Sequence, residues 1–317
     1  MSGIKLRGVG HCVPETVITN HDLGRRIDTS DTWITTRTGI QRRHHCVAGE
    51  SVTSLCVEAA RKALERSGVS PGEIGACIVA TLTPETAVPS TACMVQKELG
   101  LSEDTLCFDL NAACTGFLFG LHTMECLLHK GLKRYGLVIG GEALSRIINW
   151  EDRGTCILFG DGAGAAVVEF RDEWPSINCI YGSRGDCELL HMDGIGSGKQ
   201  ALLSMEGTKV FKFAVETVPK CMEAVLQRHS MNVEDVDFFV FHQANARIID
   251  MVVRKYAIPK EKYYKNLDEY GNTSAASIPL VLSELKEQGK VGPGSRVLVV
   301  GFGGGLTWGG ALIEFTQ

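Results

Sequence analysis

The sequence predicts an α/β protein built from two similar halves that pack tightly against each other. Two observations predict this class. A pattern of helix, turn and apolar strand occurs twice at a constant spacing, and the apolar strands are nearly continuous, as in sheets buried on both faces. We expect the halves at residues 1–170 and 171–317, related by a pseudo-twofold axis, with the functional site where they meet.

The repeated elements can be paired one by one along the chain. The corresponding segments are the helices 57–67 and 218–229, the strands 76–80 and 238–241, the strands 135–141 and 296–302, and the strands 162–170 and 307–315. At this spacing Arg66 corresponds to Arg228, and Ile78 corresponds to Val240. Each half therefore alternates strands with helices, which is typical of βαβ units.

The composition excludes several classes of protein. Of the 317 residues, 44% are apolar and 22% are charged, which is typical of a globular chain and not of a disordered one. The net charge of −5 argues against nucleic-acid binding as the main role. No apolar run is long enough for a membrane helix, and residues 1–7 resemble an opening strand and not a signal peptide. These features predict a cytoplasmic protein.

The cysteines indicate a reducing compartment. There are 12 of them, and no two stand in a C-x-x-C pair, which argues against zinc ribbons and redox motifs. We expect most of them to be small buried apolar residues. No metal and no redox cofactor is expected.

One cysteine stands out by its surroundings. An apolar strand ends near Leu110, and small residues lead to Cys114 at the start of a helical run, residues 116–129. Free N–H groups and the helix dipole at such a position stabilise a thiolate, the nucleophilic form of the side chain. We therefore expect Cys114 to be a nucleophile; the alternative is one more buried structural cysteine.

A histidine and an asparagine are expected next to this cysteine. His242 follows the strand 238–241, at the carboxyl end where α/β sheets place ligands. Asn272 takes in the second half the position of Cys114 in the first, so the repeat brings two helix starts face to face. A neutral imidazole suits proton transfer, and an amide donates hydrogen bonds without titrating. Taken singly, His242 also fits a structural role and Asn272 a helix cap.

Six segments resemble the condensing enzymes of the thiolase superfamily, and most of all the β-ketoacyl-acyl carrier protein synthase III family. They are residues 28–44, 111–117, 151–168, 241–248, 270–277 and 301–312. The resemblance implies a thiolase-like fold, a layered αβαβα sandwich of two pseudo-symmetric halves. It also implies a homodimeric acyltransferase that starts fatty acid synthesis by condensing an acyl-CoA with malonyl-acyl carrier protein.

The resemblance implies a role for each residue of the Cys–His–Asn set. Cys114 would carry the acyl group as a thioester, while His242 and Asn272 would hold the malonyl thioester carbonyl as carbon dioxide leaves. The backbone N–H groups of Cys114 and Gly304 would form an oxyanion hole. Phe302 would shield the thioester from water as an apolar gate.

The same resemblance implies binding residues for both substrates. Coenzyme A enters as part of a substrate and not as a cofactor. Its adenine would stack between Trp33 and Arg153, and its phosphates would contact Arg37. The acidic carrier protein would meet Gln243, Lys212 and Arg247.

Val88 departs from the family pattern. Many relatives have a phenylalanine there, which reaches across the dimer and closes the acyl pocket of the partner. The smaller valine predicts a deeper pocket that accepts primers longer than acetyl. The role of the glycine-containing segment 183–203 stays open.

Four other functions stay open. A condensing or acyl-transferring relative of secondary metabolism would have the same Cys–His–Asn set. A thiolase would need a second catalytic cysteine near the C-terminus, and no cysteine follows Cys221. A hydroxymethylglutaryl-type synthase would need a glutamate base, for which Glu85 is the candidate. A non-catalytic module that binds coenzyme A or a carrier protein would be expected to have lost Cys114.

Overall fold

The computed structural model describes residues 2–316, which form thirteen strands and ten α-helices with short 3₁₀ turns between them. The strands are β1 Gly3–Cys12, β2 Val17–Thr19, β3 Arg42–His44, β4 Ile74–Ala80, β5 Leu106–Leu110, β6 Tyr135–Glu142, β7 Gly162–Arg171, β8 Ile180–Ser183, β9 Leu190–Met192, β10 Leu203–Met205, β11 Phe238–Phe241, β12 Arg296–Gly303 and β13 Thr307–Glu314. The helices are α1 Asn20–Gly24, α2 Asp31–Thr38, α3 Val52–Ser67, α4 Thr91–Leu99, α5 Gly116–His129, α6 Arg153–Cys156, α7 Gly207–Arg228, α8 Ala246–Lys255, α9 Leu267–Tyr270 and α10 Ser277–Glu287.

Two main sheets repeat one strand pattern. The first has the order β1-β7-β6-β4-β5, with β6, β4 and β5 parallel and with β7 antiparallel to both of its neighbours. The second has the order β11-β12-β13-β8, with β11 and β12 parallel and β13 antiparallel to both of its neighbours. The run β4-β6-β7-β1 is thus repeated by β11-β12-β13-β8. The counterpart of β5 is a single parallel bridge between Phe239 and Tyr263.

The helices complete five layers. Helices α5 and α10 contact both sheets and lie between them. Helices α3 and α4 pack on the other face of the first sheet, and α7 packs on the other face of the second, with α8 against it. This α–β–α–β–α arrangement confirms the predicted α/β sandwich.

The helices of the central layer are apolar on both faces because a sheet covers each face. Phe117 and Leu121 of α5 and Leu282 of α10 are at most 1% exposed, and Val240 and Val299 of the second sheet are fully buried against them. Burial of each such side chain stabilises the fold by about 1.5–3 kcal/mol. The packing therefore holds the N-terminal ends of α5 and α10 rigidly, and the candidate site residues lie at those ends.

One helix begins earlier than the sequence repeat predicts. Helix α7 starts at Gly207 and continues through Pro219, whereas the repeat predicts a start near Val218. The first turns are helical because Phe213 and Ala214 are buried in the core beside the second sheet. That burial offsets the interruption by the proline. Within residues 2–316, no helix combines the length and the apolar character needed to cross a membrane.

Candidate active site

Cys114 lies in a tight turn between a strand and a helix. The 3₁₀ turn Ala113–Thr115 follows β5 and leads directly into α5 at Gly116. The Thr115 hydroxyl donates to the Ala112 carbonyl oxygen at 2.7 Å and thereby fixes the turn. Ala113 is held at φ 45°, in the left-handed region. Cys114 is 8% exposed, so the thiol sits at the helix start as predicted, but inside the protein.

The surroundings of Cys114 favour the neutral thiol over the predicted thiolate in the resting protein. The pKa of the Cys114 thiol is raised to about 12, mainly by burial; the Ser274 hydroxyl lowers this pKa in part, and the carboxylate of Glu142 raises it. A helix terminus contributes only about 0.3–1 kcal/mol, which is less than one pKa unit. Loss of hydration therefore outweighs the helix dipole, and Cys114 needs a base when it reacts.

His242 is held at the end of β11 as a neutral imidazole. It is 2% exposed, and its backbone N–H donates to Val300 at 2.9 Å. The ring lies edge-on to Phe302, with the centroids 5.3 Å apart, and burial lowers the pKa of His242 to about 3. Nδ1 lies 2.6 Å from the Ser277 oxygen, which also accepts the Gln243 N–H. When the Ser277 hydroxyl donates to Nδ1, Nε2 carries the ring proton and is the N–H donor.

Asn272 is fixed on three sides. Its backbone N–H donates to Leu158 at 2.8 Å, and its carbonyl accepts from Gly160 at 3.0 Å. Its side-chain Oδ1 accepts the Ser274 N–H at 2.9 Å. This contact orients the amide and leaves the two Nδ2 hydrogens for a ligand.

Two cavities, of about 500 and 510 Å³, meet at Cys114. The larger is lined by Cys114, His242 and Asn272, and it extends to Trp33 and Arg37. The smaller contains Cys114 and a mainly apolar wall, formed by Leu82, Leu110, Phe119, Leu144, Met192 and Leu203. Its wall includes part of the segment 183–203, so that segment lies beside the nucleophile. The predicted Cys–His–Asn set thus faces one space, with an apolar chamber behind the cysteine.

The glycine run after β12 packs against the nucleophile. A Cβ built on Gly303 would lie 2.7 Å from the Cys114 Cβ and 2.9 Å from its backbone nitrogen. Gly304 lines the smaller cavity and Phe302 lines the larger one. The backbone can approach Cys114 this closely because no side chain intervenes.

The three residues predicted for coenzyme A are in contact. The guanidinium groups of Arg37 and Arg153 lie 4.6 and 4.5 Å from the Trp33 ring centroid. Arg153 also donates to the Asp28 carbonyl at 2.8 Å. The arrangement is a cation–π cluster at the outer end of the larger cavity.

Comparison with known proteins agrees with this geometry. The family described as 3-oxoacyl-[acyl-carrier-protein (ACP)] synthase III matches residues 108–185, and its C-terminal part matches residues 226–315. The beta-ketoacyl-[acyl-carrier-protein] synthase III of Clostridium acetobutylicum is 42% identical over 330 residues and is matched over the full length of both chains. The chain belongs to the 3-oxoacyl-[acyl-carrier-protein] synthase III family. The predicted condensing acyltransferase is thereby confirmed.

Solved structures of synthase III proteins share the whole fold. The 3-oxoacyl-[acyl-carrier-protein] synthase III of Aquifex aeolicus is 43% identical, with a TM-score of 0.92 over 98% of this chain and 100% of that one. A priming beta-ketosynthase from the R1128 polyketide biosynthetic pathway is 35% identical, with a TM-score of 0.93 over 99% and 97%. The layered thiolase fold is therefore confirmed, and it also serves a polyketide pathway.

Of the residues predicted to meet the carrier protein, two are exposed and one is not. Lys212 on α7 and Arg247 on α8 are exposed, and Arg247 stacks on the Phe211 ring with its guanidinium 5.2 Å from the centroid. Gln243 is 1% exposed, and its amide donates to Phe241 and accepts from the Asn266 N–H. The assignment of Gln243 as a carrier contact stays a prediction, and both ends of its amide are used inside this synthase III fold.

Two residues near the nucleophile were not singled out from the sequence. Glu142 is the last residue of β6 and is fully buried, and Ser274 connects it to Cys114. A signal was present, because an acidic residue that directly follows an apolar strand run lies at the strand end where ligands bind. Ser274 stands inside the segment 270–277, which the family resemblance had already marked.

Glu85 and Val88 lie away from the thiol. The Glu85 carboxylate accepts the Val52 N–H and the Thr53 hydroxyl at the start of α3, and it faces Arg146 at 3.6 Å. It caps a helix and lines neither cavity, which removes the candidate base of a hydroxymethylglutaryl-type synthase. Val88 is 86% exposed and lines neither cavity of its own chain.

Proposed function

We propose that the protein transfers an acyl group from an acyl-CoA to Cys114 and condenses it with the malonyl group of malonyl-acyl carrier protein. The products are 3-oxoacyl-acyl carrier protein, coenzyme A and carbon dioxide, and the reaction starts fatty acid synthesis. The observation that carries the proposal is the position of Cys114, where a cavity with a cationic mouth meets an apolar one. A long polar thioester arm fits the first cavity, and an acyl chain fits the second.

His242 and Asn272 act on the malonyl thioester. Nε2–H of His242 and Nδ2–H of Asn272 donate to its carbonyl oxygen, which gains negative charge as the carbon dioxide leaves. The His242 imidazole must be neutral if it is to donate this hydrogen bond without carrying a fixed positive charge. The lowered pKa of His242 keeps the ring neutral. The resulting enolate carbon attacks the acyl-Cys114 carbonyl, whose oxygen meets the N–H groups of Cys114 and Gly304.

The cluster at Trp33 serves as the adenine site. Both guanidinium groups occupy the space over the Trp33 ring, so an adenine takes the place of one of them when it stacks. The freed arginine then reaches the phosphates of coenzyme A. The guanidinium groups of Arg37 and Arg153 in this position also give the cavity mouth its positive charge.

Val88 sets the depth of the acyl chamber in a homodimer. It is a large exposed apolar side chain on the segment 84–90, which is favourable for burial by a second copy of the chain. A valine in place of phenylalanine leaves the chamber of the partner deeper, so primers longer than acetyl are accepted. Val88→Phe should shift the preference toward acetyl-CoA in turnover assays. A strict acetyl preference that Val88→Phe leaves unchanged would contradict this role.

A second candidate is priming of a specialised pathway with the same chemistry. It is supported by the 35% identity to a priming ketosynthase of polyketide biosynthesis over nearly the whole of both chains. The two candidates differ in the acyl carrier protein that supplies the malonyl group, because the Cys–His–Asn chemistry is common to both.

The test is a complete turnover assay. The protein is mixed with a series of acyl-CoAs and with malonyl groups on a fatty acid carrier or on a polyketide carrier, and the carrier product is identified by mass. We expect 3-oxoacyl products on the fatty acid carrier. Cys114→Ala should form none, while His242→Ala and Asn272→Ala should load the acyl group but not condense it. Product on the polyketide carrier alone favours the second candidate, and no product on either carrier refutes both.

A further inference from the structure

Glu142 is a fully buried carboxyl group near the nucleophile, and among residues 2–316 it is paired with no cationic side chain. Glu142 accepts hydrogen bonds from the hydroxyls of Thr83 at 2.6 Å and Thr81 at 3.3 Å, from the Leu82 N–H at 3.2 Å and from the Ser274 hydroxyl at 3.2 Å. All four partners are uncharged. Burial raises the pKa of Glu142 to about 7, although these hydrogen bonds lower it in part. Such a group can both accept and release a proton near neutral pH.

Ser274 joins this carboxyl group to the reacting sulfur. Its hydroxyl donates to Oε1 of Glu142 at 3.2 Å, and Ser274 lines the smaller cavity together with Cys114. The Ser274 hydroxyl also lowers the pKa of the Cys114 thiol, as expected for a hydroxyl beside the sulfur. While the hydroxyl proton is donated to the carboxylate, the lone pairs of the Ser274 oxygen are available to accept the thiol proton. The backbone N–H of the same residue holds the Asn272 amide, so Ser274 contacts both halves of the site.

We propose that Ser274 and Glu142 form the proton relay that activates Cys114 and later restores it. The relay rests on the proposed function and adds the proton path that the Cys–His–Asn set lacks. In acylation, the Cys114 thiol gives its proton to the Ser274 oxygen, and Ser274 gives its own proton to Glu142. The sulfur electron pair forms the new bond to the acyl carbon, the bond from that carbon to the coenzyme A sulfur breaks, and the departing thiolate takes a proton from solvent.

Condensation runs the relay backward. When the enolate attacks, the bond between the acyl carbon and the Cys114 sulfur breaks, and the sulfur leaves with its electron pair. Glu142 returns its proton through Ser274 to this sulfur, which regenerates the thiol and the carboxylate. Between the two steps Glu142 is neutral, so no fixed negative charge opposes the enolate. The cycle as a whole takes up one proton from solvent, which ends on coenzyme A.

His242 is poorly placed for this task. Its Nδ1 is occupied by Ser277, and its Nε2 must carry a hydrogen to bind the malonyl carbonyl. It therefore has no free electron pair for the thiol proton in its donor form. Burial also lowers the pKa of His242 to about 3, which makes it a weaker base than Glu142.

Among the groups that face Glu142 from the surrounding elements, the Ser274 hydroxyl of the relay is the main partner for proton transfer. The turn before α5 contributes the Cys114 thiol, and α3 contributes the Cys56 thiol, whose pKa is raised mainly by burial and further by the carboxylates of Glu142, Glu85 and Asp109. The loop after β4 contributes the Thr81 and Thr83 hydroxyls, the turn before α10 contributes Ser274, and β7 contributes Gly162. A titration of acylation near pH 7 would therefore report on Glu142.

The test is the rate of Cys114 acylation by acetyl-CoA in a single turnover, measured by rapid quenching and intact mass across pH 5.5–8.5. We expect the wild-type rate to rise about tenfold per pH unit and to level off near pH 7. Glu142→Gln should be slower by about 10²–10⁴-fold and should lose this inflection. Ser274→Ala, which keeps the backbone N–H that binds Asn272, should also be slower and lose the inflection. The double variant should be little slower than either single variant, because both changes interrupt the same proton path. Glu142→Asp should restore the inflection.

A control variant separates the relay from a structural role. Thr83→Val removes a hydrogen bond to Glu142 but leaves the path through Ser274, so the inflection should move to higher pH. The relay is refuted if Glu142→Gln and Ser274→Ala are acylated at the wild-type rate, or if they are slow but keep the wild-type pH profile. Should Glu142→Gln not fold, Ser274→Ala and the Thr83→Val shift decide alone. A wild type that no acyl-CoA acylates at any pH would refute the proposed function, and the relay with it.

Discussion

At the residue scale, the nucleophile depends on a neighbour that has no side chain. Gly303 lies so close to Cys114 that a methyl group would overlap both its Cβ and its backbone nitrogen. The turn Ala113–Thr115 is also tied to the glycine run, because the hydroxyl oxygens of Thr115 and Thr307 lie 2.8 Å apart. Neither partner can move away without disturbing the proposed oxyanion site between them.

Gly303→Ala should therefore displace Cys114. We expect acylation of Cys114 to slow by at least about tenfold and the free energy of unfolding to fall by about 1–3 kcal/mol, as in other overpacked cores. Gly309→Ala is the matched control on the neighbouring strand β13, because a Cβ there would meet its nearest atom at 3.5 Å. Chemical denaturation and single-turnover acylation measure both effects. Equal behaviour of the two variants would contradict the close contact.

The buried carboxyl of Glu142 also affects stability, with a definite sign. Its pKa is about 7 in the folded protein, compared with an ordinary value of 4.5, so the folded state binds more protons than the unfolded state between these two pH values. Stability from this group is present below pH 4.5 and is lost as the pH rises through 7. His242 acts in the opposite direction, because its lowered pKa makes stability fall as the pH drops from 6.5 toward 3.

Comparison with Glu142→Gln isolates the first effect, since both proteins contain His242. The free energy of unfolding of the wild type, relative to Glu142→Gln, should fall by about 3 kcal/mol between pH 4.5 and 7. Urea denaturation at a series of pH values measures it. A difference that does not change with pH would show that Glu142 has an ordinary pKa.

At the element scale, one helix cap connects two helices in the wall of the larger cavity. Asn245 caps α8 by accepting the Arg247 N–H at 2.9 Å, and its Nδ2 donates to the Arg37 carbonyl of α2 at 3.1 Å. Helix α2 also contains Trp33. The cap of one helix thus positions the proposed coenzyme A residues on another.

Asn245→Ala should cost about 1 kcal/mol of stability through the lost cap and should raise the KM for acyl-CoA. Asn245→Asp keeps the accepting oxygen but loses the donor to Arg37. It should keep most of the stability and still raise the KM. Thermal unfolding and acylation kinetics separate the two effects. If the KM changed in parallel with stability in both variants, a separate role for the hydrogen bond from Asn245 to α2 would be contradicted.

The bounds of the elements also show which features of the fold a sequence pattern predicts. Strand β11 and helix α5 have the predicted bounds, because an unbroken apolar run and helical periodicity each define one element. Helix α7 begins well before its predicted start, because Pro219 resembles a helix beginning when only the sequence is considered. Its burial against the second sheet is a tertiary effect that local pattern does not contain.

At the scale of the whole molecule, the repeat explains why the site was largely predictable. It places the ends of β5 and β11 and the starts of α5 and α10 in one space, which brings Cys114, His242 and Asn272 together. The repeat contains no information on depth of burial. The raised pKa of Cys114, the internal use of the Gln243 amide and the pocket around Glu142 all follow from packing by distant segments.

The surface around the cavity mouth gives a prediction for the carrier protein. Lys212 and Arg247 are exposed there, on a chain whose net charge is −5. Lys212→Glu should raise the KM for malonyl-acyl carrier protein several-fold at low salt, less at high salt, and leave acyl-CoA loading unchanged. Lys220→Glu, about two turns further along α7, is the matched control. Equal effects of both variants would refute a local docking patch.

The central claim is that Cys114 carries the acyl group. It is tested most directly by intact-protein mass spectrometry after mixing the protein with a series of acyl-CoAs, alongside Cys114→Ala. The account predicts a single acyl adduct on the wild type and none on the variant, with chains longer than acetyl also loaded. No adduct with any acyl-CoA, or an adduct that persists in Cys114→Ala, would contradict it.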